Sequence, residues 1–340
     1  MNETLPRSLA QSPKLRLLQV CNVGKITGGT AACAWSITRS LPQCEHLVAF
    51  LSPITAEARA AFAHCQLFEW REVTQLAVAR CDPDAIILHN TLAGRWEYPL
   101  GAPTIRYVHS LGRPGNEDQR WYCSRWLAKQ CGEPGGIVCR QSVPRPLRPA
   151  EETHRELRLH PVVGRLCTPR LRKWPRELIG FYRRMSELFP SIQWEFVGCP
   201  SALQAPLAEV CRGHASFLPA GWMQRSRMWH WDALLYHHPT LTESFGRTAA
   251  EAMRAGCIPI VDARGGFIEQ IAHETGYLCA DVDDFAAALR VLLDPEERRR
   301  RSERCRDHAD RVFSFTRFGH DLRELLDGLA EIEPLQPIEK

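Results

Sequence analysis

None of the fourteen cysteines stand in a Cys-x-x-Cys pair. Structural zinc sites usually pair close ligands two to four residues apart, so the even spacing of Cys123, Cys131 and Cys139 does not point to one. No run approaches the roughly 20 apolar residues that a membrane-spanning helix needs. The first residues, Met1 to Lys14, are polar, carry Pro6 and Pro13, and hold no apolar signal core. Charge of one sign is not in excess: 43 Lys and Arg against 39 Asp and Glu leave a formal +4. That suits an anionic small ligand and is too weak to point to nucleic acid. The glycines of the first loop, Gly24, Gly28 and Gly29, lack the Gly-x-Gly-x-x-Gly spacing of a dinucleotide loop, which disfavours a nicotinamide enzyme.

What is present is ordinary globular composition, 44% hydrophobic and 24% charged, over 340 residues, a length that favours two domains. Cysteines such as Cys21 and Cys257 sit inside apolar runs and behave as small hydrophobes, which fits a reducing cytoplasm. From Leu15 the chain reads as a buried strand, a loop from Asn22 to Thr30, and a helix from Ala31 to Leu41. Further strand-like runs at Leu47–Leu51, Ala85–Leu88 and Thr104–Val108 alternate with helical segments such as Ala56–Ala63. Pro144, Pro146 and Pro149 with the charged stretch Glu151–Arg158 read as a linker. A second series then begins at Pro161, with strands at Trp194–Val197, Ala233–Tyr236 and Cys257–Val261. The expected organisation is a tail over 1–14, a Rossmann-like domain over 15–143, a linker over 144–160 and a second Rossmann-like domain over 161–312. A C-terminal segment over 313–340 is expected to cross back as a helix to the first domain. The arginines Arg298 to Arg301 are interleaved with glutamates, so a solvated helix face is expected, with weak peripheral membrane contact as the minor reading.

The most informative stretch runs from Thr240 to Val261. Leu241–Gly246 reads as a loop and Arg247–Ala255 as a helix capped by Gly256. A helix N-terminus offers free N–H groups and positive potential to an anion, and Gly246 lets backbone approach it closely. Glu243 and Glu251 flank that point, and carboxylates accept hydrogen bonds from sugar hydroxyls. A ligand with a diphosphate centre and a sugar at each end satisfies all three features.

The same stretch resembles the Glu-x7-Glu signature of retaining glycosyltransferases, in particular family 4, which have the GT-B fold of two facing Rossmann-like domains. Gly256-Cys257-Ile258-Pro259, Gly265-Gly266-Phe267-Ile268-Glu269 and Gly276-Tyr277-Leu278 resemble further motifs of that family. The likeness is clear over Val162 to Phe318 and looser over Leu15 to Val138. It implies a nucleotide diphosphate sugar, UDP- or GDP-linked, as donor, and a hydroxyl acceptor on a glycan, lipid-linked or small molecule. Glu251 would bind the ribose and Glu243 would lie beside the transferred sugar, while the backbone of Phe245, Gly246, Arg247 and Thr248 would cradle sugar and diphosphate. Gly164-Arg165-Leu166 resembles the family's Gly-Arg-Leu motif, implying that Arg165 and a following cation clamp the diphosphate without a metal. Arg170, Arg172 and Lys173 are the candidates for that cation, and Lys173, just before Trp174-Pro175, is preferred.

On the acceptor side, Gly28-Gly29-Thr30 resembles the family's Gly-Gly loop, and His109 ends a strand where the family carries a histidine facing the reactive centre. His89 is similarly placed. Base contacts are expected around Gly198 and Leu218. Asp82-Pro83-Asp84 and Asp281-Val282-Asp283 look like metal motifs but read better as a turn and a helix cap. The rival functions are a nucleotide-sugar epimerase or phosphorylase of the same fold, and a non-catalytic nucleotide-sugar binding protein.

Overall fold

The computed structural model describes residues 14–91, 94–112, 115–149, 158 and 160–331. The expected N-terminal tail up to residue 13, most of the linker's charged stretch and residues 332–340 lie outside the described residues.

Two parallel sheets organise the chain. The first contains β1 (Arg16–Cys21), β2 (Glu45–Phe50), β3 (Gln66–Glu69), β4 (Ala85–His89), β5 (Thr104–Val108), β6 (Gln119–Tyr122) and β7 (Ile137–Val138), in the order β3-β2-β1-β4-β5-β6-β7. The second contains β8 (Val162–Leu166), β9 (Gln193–Val197), β10 (Ala215–Leu218), β11 (Ala233–Tyr236), β12 (Ile258–Asp262) and β13 (Tyr277–Cys279), in the order β10-β9-β8-β11-β12-β13. Helices α1 (Gly29–Ser40), α2 (Ala56–Ala61), α3 (Gln75–Ala79) and α4 (Arg125–Gln130) belong to the first series. Helices α5 (Glu177–Leu188), α6 (Ser201–Val210), α7 (Arg247–Arg254), α8 (Phe267–Gln270), α9 (Val282–Val291) and α10 (Pro295–Val312) belong to the second, and α11 (Phe315–Asp327) follows them.

The central strands are apolar on both faces because helices cover both, as parallel sheets require. Strands β4, β5, β8, β11 and β12 are buried along their whole length. The largest core pieces are Trp121, Trp174, Trp194 and Trp231, each essentially sealed. Burying an indole removes roughly 4–6 kcal/mol worth of apolar surface from water. Trp231 packs so tightly on β8 that a Cβ at Gly164 would lie 2.0 Å from its ring, which is why that strand carries glycine there.

Helix α11 returns to the first series, where Phe315 packs edge-on against Trp35 of α1 at 5.8 Å. The proline-rich segment beyond β7 is docked, at least in its first part: Pro146 accepts from Trp229 Nε1 at 2.8 Å, and Arg145 pairs with Asp310. The arginine run of α10 departs from expectation in one residue. Arg299, Arg300 and Arg301 pair with glutamates of their own helix, but Arg298 is buried and donates to the carbonyls of Leu292 and Leu293. Its NεH lies 3.5 Å from Asp232, so this arginine is a core strut rather than part of a solvated face. No helix among the described residues is long and apolar enough to cross a membrane.

Strand order reverses beside the first strand of each sheet, between β1 and β4 and between β8 and β11. Ligands of such sheets bind beyond the carboxyl ends of the strands at these switch points. Here both switch points open onto the same cleft.

Candidate functional site

The cleft is a cavity of about 430 Å³, within the size range of small-molecule sites. Its first wall comes from Asn22 to Thr30 after β1, from Asn90 after β4, and from His109 and Ser110 after β5. Its second wall comes from Leu166 to Lys173 after β8, from Tyr236, and from Leu241 to Ala249 leading into α7.

Two helix N-termini meet across it. Gly28 caps α1 and Gly246 caps α7. The first N–H groups of each helix have no partner within the helix and carry its positive end. Gly246 sits at φ +88°, and a Cβ there would lie 2.3 Å from the Phe267 ring. Both the left-handed backbone and the close ring demand glycine.

The charged groups of the second wall are paired. Lys173 Nζ and the Tyr236 hydroxyl both donate to Glu243 Oε1. Burial, reinforced by Cys167 and Glu243, pushes the Tyr236 phenol far up, so it remains a proton donor. Glu251 is fully buried behind the cavity lining, and Arg225 Nε donates to its Oε2 at 2.8 Å. Its other oxygen has no hydrogen-bond partner among the described residues, with Arg247 Nε standing off at 3.8 Å. A buried carboxylate oxygen without a donor is costly unless a ligand supplies one. Arg225 also lies over the Trp222 ring at 4.2 Å.

Arg165 is where geometry departs from expectation. Its guanidinium is 1% exposed, does not line the cavity, and is held between the Trp174 ring at 5.0 Å and the Tyr236 ring at 4.9 Å. It donates to the carbonyls of His237 at 2.8 Å and Lys173 at 3.0 Å. A cation spent on two carbonyls and two ring faces is not available to a phosphate. It instead holds the backbone of Lys173 and the ring of Tyr236, the two residues that bond Glu243. Arg170, Arg172 and Lys173 all line the cavity, the first two exposed and Lys173 half-buried on Glu243.

Of the other expected residues, His109, Gly28, Gly29, Phe245, Gly246, Arg247 and Thr248 line the cavity, as Lys173 and Glu243 do. Gly198 and Leu218 do not line it; they bond each other through their backbones at 2.9 Å. Arg247 reaches across the cleft, donating to Gln141 Oε1 at 2.5 Å, Ser142 O at 3.1 Å and Ser36 Oγ at 3.2 Å. Glu269 crosses too, accepting from the N–H groups of Arg125 and Trp126 at 3.0 and 2.7 Å, at the start of α4.

The first wall is neutral. His89 and His109 share a hydrogen bond of 3.1 Å, and His89 Nε2 meets Gln19 Oε1 at 3.0 Å. Burial pushes the His89 imidazole down to about 3. Burial, with His89 and Arg247 alongside, holds His109 well below the ordinary histidine range. Sequence reasoning missed Gln19, Arg225 and Tyr236. The polar Gln19 inside the otherwise apolar end of β1 was a usable signal, because a buried amide needs a partner.

Asp281 caps α9 by accepting from Asp283 and Asp284 N–H, and Asp84 accepts from Arg16 N–H. Among the described residues, Cys123, Cys131 and Cys139 do not gather their thiols into a three-ligand cluster, whereas Cys33, His89 and His109 bring ligand atoms within 4.8 Å of one another.

Two doubly wound sheets facing a cleft lined by helix N-termini define the GT-B fold. The family model described as glycosyl transferases group 1 matches residues 212–308, the stretch that contains Glu243, Gly246 and Glu251. Solved structures of the same fold include the Anabaena protein HepE in complex with UDP and glucose, 15% identical, with a TM-score of 0.71 over 92% of this chain and 100% of that one. A glycosyltransferase from Rickettsia africae is 12% identical, with a TM-score of 0.74 over 95% of this chain and 100% of its own. Sucrose-phosphate synthase from Thermosynechococcus elongatus is 15% identical, with a TM-score of 0.69 over 94% and 100%. No curated protein sequence matches the chain. The family match covers residues 212–308, and the solved structures, all under 25% identical, show the fold.

Proposed function

We propose that the protein is a retaining glycosyltransferase of family 4 that moves a glycosyl group from a nucleotide diphosphate sugar, UDP- or GDP-linked, to a hydroxyl acceptor. The observation that carries this reading is the meeting of two helix N-termini and Lys173 on one cavity, with Glu243 beside them. Residues 15–143 serve as the acceptor half and 161–312 as the donor half.

In this reading the diphosphate lies at the start of α7 and draws Lys173 from Glu243. The cations, with the fixed N–H dipoles, stabilise the charge that develops on the leaving diphosphate without calling on a metal. Arg170 and Arg172, exposed and lining the cavity beside Lys173, complete the clamp in place of Arg165, which is turned to carbonyls. Ribose hydroxyls reach the donor-less Glu251 Oε1 once Arg225 and Arg247, the cavity-lining residues beside it, turn to the diphosphate. Glu243, released from Lys173 and held by Tyr236, accepts from a hydroxyl of the transferred sugar. The acceptor attacks from the face that the diphosphate leaves, and a phosphate oxygen takes its proton. The fourteen free thiols fit a reducing, cytoplasmic setting.

Product analysis with donor alone, with donor plus phosphate, and with donor plus a panel of hydroxyl acceptors tests this. Transfer to an acceptor with the anomeric configuration kept is expected. Turnover of donor alone into an epimer, or phosphorolysis, would replace the reading with one of its rivals. The Glu243→Gln variant is expected to lose about 100-fold in kcat, and near-wild-type turnover would remove the charge from the chemistry.

A further inference from the structure

The first wall contains a hydrogen-bonded chain that the glycosyl-transfer reading leaves unexplained. Gln19 and His89 are both fully buried, and neither lines the cavity. His109 does line it. The chain therefore runs from the interior of the first sheet to the cavity surface, from β1 through the end of β4 to the residue after β5.

Its proton pattern follows from the acceptor at its inner end. The amide oxygen of Gln19 faces His89 Nε2 at 3.0 Å. An amide oxygen only accepts, so His89 carries its proton on Nε2 and leaves a lone pair on Nδ1. That lone pair faces His109 Nε2 at 3.1 Å, so His109 in turn carries its proton on Nε2. The remaining nitrogen, Nδ1, belongs to a partly exposed ring that lines the cavity.

The rings are held as well as the protons. His89 stacks on His109 at 5.4 Å with an interplanar angle of 16°, and Tyr107 packs on His109 at 4.5 Å. Asn90 Oδ1 accepts from the His109 N–H at 3.3 Å, fixing the backbone at the base of the ring. The groups that face His109 from the surrounding elements are Cys33 on α1, His89 at the end of β4, Tyr107 on β5 and Arg247 on α7. None is a carboxylate that would favour an imidazolium.

We propose that Gln19 and His89 are positioning residues that fix His109 in its Nε2–H form, so that its Nδ1 lone pair is presented to the cavity as a neutral acceptor for a substrate hydroxyl. This rests on the glycosyl-transfer reading for what the hydroxyl belongs to, but the tautomer itself does not. A neutral acceptor in this place suits a sugar or acceptor hydroxyl and would not compete for the diphosphate. The single amide two residues removed from the cavity thus sets what the cavity can recognise.

The test is long-range proton–nitrogen NMR of the full chain labelled at its histidines, assigned with His89→Gln and His109→Gln. At neutral pH the expected result is a neutral His109 with its proton on Nε2, and a shift toward mixed tautomers in Gln19→Met. A His109 protonated on Nδ1, an imidazolium, or a His109 spectrum unchanged by Gln19→Met would overturn the proposal. One equivalent of Zn²⁺ is added in a parallel sample, because Cys33 lies within reach of both rings. Tight zinc binding lost in Cys33→Ser would make the trio a metal site instead and overturn the relay. Titration with UDP on the same sample separates the two ideas: absent nucleotide binding sinks the glycosyl-transfer reading and leaves the tautomer result standing.

Discussion

The two walls of the cleft solve opposite problems. The second wall is crowded with charge: Lys173 on Glu243, Arg225 on Glu251, and Arg247 near both walls. The first wall keeps its histidines neutral by burial and bonds them to each other and to an amide. The same fold unit, a parallel sheet reversing at its first strand, carries both. What differs is the chemistry placed at the strand ends. On the proposed reading, the charged wall trades its pairs for a diphosphate, whereas the neutral wall sorts hydroxyls without attracting phosphate.

The largest effect that would break this contrast is expected from Glu251→Ala. It leaves the Arg225 guanidinium without its buried partner, and breaking such a pair costs about 3–5 kcal/mol, read by denaturant unfolding. Nucleotide affinity should fall in the same variant, and a variant with wild-type stability would mean that the pair is not buried as described. Gly246→Val comes next. Left-handed strain alone costs roughly 1–3 kcal/mol, and the added side chain would meet the Phe267 ring, so both the melt and nucleotide binding should suffer.

The first wall is sharpened by pH. His89 is held at about 3 in the fold against the ordinary value of about 6.5 in the unfolded chain. Its folded pKa is depressed, so the unfolded chain takes up a proton that the folded one refuses as pH falls below about 6.5. Stability due to this group is full above that pH and should decline by about 2 kcal/mol on going down to about pH 5. His89→Gln should flatten that part of the stability–pH curve. An equal slope in the variant would assign the pH response elsewhere. Lys173→Ala should have the smallest effect on stability, within about 1 kcal/mol because its pair with Glu243 is partly exposed. It should nevertheless weaken diphosphate binding roughly 10- to 100-fold, read by calorimetry, the worth of a charged hydrogen bond.

Much of the fold was legible from periodicity. The strands at Thr104–Val108 and Ala233–Tyr236 and the helix starting at Arg247 were placed to the residue, because apolar runs and glycine boundaries mark them strongly. The short β3, β6 and β7 were not recognised; their few residues give too little alternation. At the cleft, spacing and likeness pointed to Glu243, Gly246 and Lys173, which line the cavity. The surroundings of Arg165 were not legible, because nothing in its sequence neighbourhood shows that Trp174 and Tyr236 close over it. Arg225 was invisible for the complementary reason: it lies in a short 3-10 turn with no motif, and meets Glu251 only through the fold. Charge partners set by tertiary packing leave no local trace, whereas backbone demands such as the left-handed cap at Gly246 do.

The central claim, that this cleft takes a nucleotide diphosphate, is tested most directly by the thermal shift of the intact chain with UDP, GDP, ADP and their sugars. One nucleotide series, present at about 100 times its dissociation constant, should stabilise the fold by roughly 2.7 kcal/mol, with the others well behind. No shift with any of them would contradict the claim.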